Sequence, residues 1–147
     1  MKNVLYHGTY EDMYKKIIKE GLILNFTESY EETTVINKVL NDYKNSEVRE
    51  GAIFLTDDKS LIEFYDYTIE IDIKKLNTNL LYVADNKFAD NIFDSYYCQD
   101  KKRMDYFVRE YLNSLIPFEE YKKIEKEYNK DHKFREFLYF DSIKLCK

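Results

Sequence analysis

Few residues in this chain could do chemistry, and the most telling group lies near its start, in Val4-Leu5-Tyr6-His7-Gly8-Thr9. These six read as a buried strand ending on a His-Gly-Thr corner. A histidine at a strand end, beside a residue with no Cβ, is well placed to meet a ligand. Gly8 lets that ligand come close to the backbone, whose N–H and C=O then become recognition groups. Taken alone, the corner is ordinarily a plain strand-to-helix turn. Two later stretches give it interest.

Other chemistries lack their residues. The sequence contains no Gly-x-Gly-x-x-Gly and no Gly-x-x-x-x-Gly-Lys, which argues against a Rossmann or P-loop nucleotide site. It has no Gly-x-Ser-x-Gly elbow either. His7 and His132 are far apart, and Cys98 and Cys146 have no metal-ligand spacing, so no metal is expected. Two lone cysteines without a secretory signal read as reduced thiols. No apolar run approaches the roughly 18 residues that span a bilayer. The expected location is the cytoplasm, away from membranes.

The corner must be held by the elements around it. Met13, Ile17 and Ile18 recur at helical spacing after Tyr10, which predicts an amphipathic helix. Gly21 stands where a left-handed cap would end it. Leu22 to Phe26 reads as a short strand or extended loop. Thr33 or Thr34 is expected to cap a helix whose apolar face is Ile36, Val39, Leu40 and Tyr43. Lys44 to Glu50 is a charged connection. Gly51 to Thr56 reads as a buried strand, and Asp57 to Ser60 starts a short helix ending near Tyr65. Tyr67, Ile69, Ile71 and Ile73 alternate with polar residues, the clearest strand in the chain.

Leu80 to Val83 is a further strand, and Ala84 to Gln99 reads as a loop with one helical turn near Ala89 to Phe93. Lys101 to Ile116 is a helix broken by Pro117, and Phe118 to Lys130 is a second. Phe137 to Phe140 and Ile143 to Cys146 read as terminal strands. Strands at both ends with helices between predict an α+β domain over all 147 residues, with a helical insertion at about 101–130.

Composition agrees with one domain. Hydrophobic residues make up 44% and charged residues 35%, enough for a core and a well-solvated surface. Only three glycines and one proline occur, where average usage gives about ten and seven, so helices should be long and connections short. The 15 Tyr and 10 Phe are mostly core and surface rings. A net charge of −5 leaves no basic footprint for unspecific nucleic-acid or membrane binding.

Three separated stretches resemble the ADP-ribosyltransferase superfamily of the poly(ADP-ribose) polymerase-like type. Leu5-Tyr6-His7-Gly8-Thr9 with Ile17 and Gly21-Leu22 is similar to that family's His-Gly-Thr strand and its continuation. Gly51 through Tyr65 is similar to its Gly-Ile-Tyr-Phe…Ser…Tyr segment, with Ser60 at the helix start. Arg135 through Asp141 is similar to its late strand, which begins with the catalytic glutamate. The matches keep the family's order across nearly the whole chain.

The resemblance implies a split pair of small antiparallel sheets around an NAD cleft. It implies NAD as co-substrate, cleavage of the nicotinamide–ribose bond, and transfer of ADP-ribose. The leaving group is already cationic, so the demand is to stabilise an oxocarbenium-like transition state. Glu136 would supply that field, and losing such a group costs about 3–4 kcal/mol, or 10²–10³ in rate. His7 would hold a ribose hydroxyl, Gly8 and Thr9 would border the nicotinamide amide, and Tyr65 would stack on its ring. Phe54 stands where relatives carry Tyr, which departs from the His-Tyr-Glu pattern. Thr56, on the same strand, could supply the missing hydroxyl.

Each residue also has an ordinary reading. Glu136 would be a solvated strand-edge carboxylate, Tyr65 a core ring, Thr56 a turn residue, and His132 a solvated side chain in a polar stretch. Phe134, two residues before Glu136, lacks the carboxylate or amide of arginine-specific relatives. The expectation is mono-ADP-ribosylation of a macromolecule, protein rather than nucleic acid, by a small effector of the bacterial toxin or phage anti-CRISPR style. A catalytically inactive interaction module, a NAD glycohydrolase and an RNA 2′-phosphotransferase are the alternatives.

Overall fold

A computed structural model describes residues 3–21 and 31–145. The segment Leu22 to Phe26 and the last expected strand residue, Cys146, lie outside them. Strand β1 (Val4–Thr9) pairs antiparallel with β3 (Tyr67–Asp72), setting Leu5 opposite Ile71 and His7 opposite Ile69. Four other strands form a second antiparallel sheet: β2 (Ile53–Leu55), β4 (Leu81–Asp85), β5 (Ile116–Pro117) and β6 (Arg135–Tyr139). Their order is β2-β6-β4-β5. The helices are α1 (Glu11–Glu20), α2 (Glu31–Lys44), α3 (Asn86–Tyr97), α4 (Lys101–Ser114) and α5 (Phe118–Asp131). The expected α+β class with two antiparallel sheets is what forms.

Alternation along the strands makes two cores, one on each face of the four-stranded sheet. Phe137 and Tyr139 of β6 join Leu5, Ile17, Leu55, Val83 and Tyr121 on one side. Leu138 joins Ile36, Leu40, Ala84, Ile92, Val108 and Tyr111 on the other. The sheet is therefore a middle layer, with α2, α3 and α4 on the Leu138 face.

Several expectations are corrected. The stretch Ala84 to Gln99 is no loop: residues Asn86–Tyr97 form the whole helix α3. The Asp85 carboxylate caps it by accepting from Lys87 N–H at 2.9 Å, and Ala89, Ile92 and Ser95 bury one face at three-residue spacing. Thr33 and Thr34 lie inside α2 rather than capping it. The helix expected after Asp57 is a single 3-10 turn, Lys59–Ile62, capped by Asp58. No strand forms over residues 143–145, although Ile143 is buried. A kink at Ile124 (φ −124°, ψ 21°) interrupts α5.

Gly21 ends α1 with φ 84° and ψ −178°, a conformation close to exclusive to glycine. A Cβ there would also fall 2.5 Å from the Ile143 carbonyl oxygen. Gly21→Ala should therefore cost at least about 1–3 kcal/mol in denaturant unfolding. A loss below 0.5 kcal/mol (about the scatter of ordinary surface changes) would contradict this account of the α1 terminus.

Candidate functional site

The two sheets meet at one isolated bridge between Tyr6 and Thr56. Tyr6 N–H donates to Thr56 O at 2.8 Å, and Thr56 N–H donates to Tyr6 O at 2.9 Å. Backbone polarity alternates along a strand. Asn3 accepts from Ile73 N–H on the β3 side at 2.9 Å, so odd residues of β1 face β3 and even ones face β2. A continued ladder would next bond Gly8 to Phe54.

It does not continue. The Phe54 carbonyl instead meets His7 Nδ1 at 2.9 Å. A carbonyl only accepts, so Nδ1 carries the proton in this contact. The imidazole thus lies between the diverging strands, and the Gly8 amide edge points into the split. Tyr65 stands over Gly8: a Cβ on that glycine would fall 2.3 Å from Tyr65 Cδ2. The site brings together His7, Gly8 and Tyr65.

The remaining expected residues have other engagements. Thr9 is fully buried opposite Tyr67. The Thr56 hydroxyl accepts from Asp58 N–H at 3.1 Å, an ordinary turn contact. The Phe54 ring turns away from the split and lies under the Arg49 guanidinium, 4.7 Å from its carbon.

Glu136 is next in line across the sheet. The β2–β6 register sets Leu55 opposite Phe137, so Thr56 runs on opposite Glu136, and the Cα row Tyr6–Thr56–Glu136 spans about 10 Å. The Glu136 side chain faces the helices, however, and is no solvated edge carboxylate. It is 6% exposed. Arg49 Nη2 donates to its two oxygens at 2.9 and 3.2 Å, and Tyr111 O–H donates to Oε2 at 2.5 Å.

Arg49 is itself 4% exposed, and its Nε and Nη1 have no hydrogen-bond partner. Burial pushes the Arg49 pKa down, but Glu136 and Tyr111 more than offset that and hold it raised. Burial, then the Glu136 charge, drives the Tyr111 hydroxyl well above its ordinary value. Arg49 was invisible in sequence: it sits in the charged connection that reads as solvated loop. Asp90 on α3 also lies near this pair. Its pKa is pushed up to about 7, by partial burial first, then by a hydrogen bond with Glu32 and the charges of Glu32, Glu136 and Asp94.

His132 is likewise not solvated. Its Nδ1 lies 2.7 Å from Asp85 Oδ2, a carboxylate with 5% of its side chain exposed. Arg135 Nη1 donates to the His132 carbonyl at 2.6 Å, and Arg135 Nε to Asp57 at 3.0 Å. This network ties the end of α5 to β4 and to the turn after β2. It is a structural clasp.

Compared with known proteins, the chain matches no family model, no curated protein and no solved structure. Among the described residues no group of three or more His, Cys, Asp or Glu could hold a metal ion, and no helix is long and apolar enough to cross a membrane.

Two outcomes follow from these charges. Arg49→Met leaves Glu136 buried and unpaired, which should cost about 3–5 kcal/mol, whereas Arg49→Met with Glu136→Leu should recover most of that loss. Urea unfolding of the two variants checks this, and equal losses would refute it. Asp90 binds its proton more tightly folded than unfolded, so its contribution is present below pH 4 and lost as pH rises through about 7. Thermal midpoints should therefore fall across that window in the parent and fall less in Asp90→Asn; parallel curves would remove the assignment.

Proposed function

We propose that this chain is a mono-ADP-ribosyltransferase that binds NAD at the split between β1 and β2. The observation that carries the reading is the interrupted ladder after Tyr6–Thr56. It ends the β2 pairing short of Gly8, which is buried, sets the His7 imidazole beside it, and stands an aromatic ring above it. An amide edge reads a carboxamide with one donor and one acceptor. An imidazole can hydrogen-bond a ribose hydroxyl. A flat aromatic wall suits a flat pyridinium. The acceptor of ADP-ribose is a macromolecule, a protein rather than a nucleic acid given the acidic net charge. The chemistry would run by departure of nicotinamide with its bonding electron pair, leaving a ribosyl cation that the acceptor's nucleophile captures.

The test is release of nicotinamide from NAD. The parent should release it, His7→Ala should raise KM for NAD about tenfold, as losing one hydrogen bond to a polar ligand does, and Glu136→Gln should lower kcat by roughly 10²–10³. Parental turnover in Glu136→Gln would remove that residue from the reaction.

A second reading is favoured by a specific observation. Glu136 is neutralised by Arg49 and capped by Tyr111, and Phe54 replaces the tyrosine of the His-Tyr-Glu pattern. Both suit a domain that keeps the NAD-binding split without turnover. Under this reading NAD raises the thermal midpoint while no nicotinamide is released.

A further inference from the structure

The aromatic wall at the split is already occupied. Tyr65 meets the backbone of Gly8 on the strand side. The Phe64 ring lies 4.3 Å away, tilted by 33°, and the Tyr10 ring 4.8 Å away, tilted by 50°. Together they crowd Tyr65, which is half-buried, so a further flat ring would stack on it most fully where one of them leaves. Gly8 is backbone in a paired strand, and Tyr10 is half-buried at the start of α1. Phe64 is different: it is 67% exposed, the most exposed of the large hydrophobic side chains described. It follows a short 3-10 turn rather than sitting in a strand or long helix.

We infer that Phe64 is a self-occupying plug, a side chain seated on Tyr65 where the flat ring of a ligand stacks, and displaced when that ligand binds. The inference rests on the NAD reading of the split and adds a control of that site which the reading does not contain. A largely exposed phenylalanine gains little from burial at this position. Its main favourable contact is the ring pair itself. Such pairs bias an equilibrium by roughly 2- to 10-fold, so the plug weakens ligand binding by that factor and does not abolish it. The incoming ring must also be flat and able to meet an aromatic face, which favours a pyridinium over a puckered or aliphatic group.

The sign of the effect separates a plug from a wall. Nicotinamide and NAD are titrated into the full chain, with binding read by ligand-observed NMR, for the parent, Phe64→Ala and Phe64→Trp. Phe64→Ala should bind nicotinamide about 2- to 10-fold more tightly at an unchanged thermal midpoint, and Phe64→Trp should bind no more tightly than the parent. If Phe64→Ala binds nicotinamide equally or more weakly while the parent binds it, the plug is overturned and the NAD reading stands. If neither folded protein binds nicotinamide or NAD at millimolar concentration, both fall together.

Discussion

A guanidinium and a carboxylate, both nearly stripped of water, decide how the helices sit on the four-stranded sheet. Arg49 reaches Glu136 from the segment before β2, and Tyr111 reaches it from α4. The rings of Phe54 and Tyr111 lie 4.7 and 5.6 Å from the guanidinium carbon. Taking each ion out of water costs several kcal/mol, and mutual attraction returns this only with good geometry and satisfied donors. Two Arg49 donors remain unbonded, so the compensation is incomplete. The pair therefore adds little net stability. It penalises arrangements in which either partner is buried alone, and so selects one register for α4, β6 and the Arg49 segment.

Phe54 links that constraint to the split. Its ring lies under Arg49 on the helical face, while its carbonyl accepts from His7 in the gap beside β1. One residue thus answers to the buried ion pair on one side and to the imidazole on the other. Because β2 is only three residues long, it has little freedom to satisfy either demand separately. The position of β2 fixes where the ladder to β1 stops, short of Gly8.

Much of this was legible in the chain, for identifiable reasons. Alternation of Tyr67, Ile69, Ile71 and Ile73 marks β3 because one face is buried and the other wet. Met13 and Ile17 mark α1 in the same way. Helix α3 was missed because its buried positions, Ala89, Ile92 and Ser95, include a small residue and a polar one. Its capping aspartate also looks like any loop acid. The Tyr6–Thr56 bridge puts β1 beside β2, and β2 pairs with β6, so the three motif stretches lie side by side. The environment of Glu136 was not readable, since Arg49 lies 87 positions away in a run of ordinary surface charges. Long-range ion pairs leave no local period. His132 was misjudged for the same reason, its partner Asp85 being 47 positions distant.

The buried pair also bears on what the split can do. On the proposed reading, binding and turnover would depend on different groups. His7, Gly8 and Tyr65 sit at the junction of β1 and β2, whereas Glu136 sits one strand further and is already paired with Arg49. Freeing Glu136 from Arg49 would cost about 3–5 kcal/mol, equivalent to roughly 10²–10⁴-fold in affinity. A ligand can shift an equilibrium only by its differential affinity for the two states. A single stacked ring and an amide edge would not supply so large a difference, so Glu136 would stay paired if NAD bound. Any transfer must then draw on a partly neutralised carboxylate whose field is weaker than that of a free one. On the proposed reading, occupancy of the split would be set by His7, Gly8 and Tyr65 and the speed of transfer by Glu136 on β6, so the two would be separable.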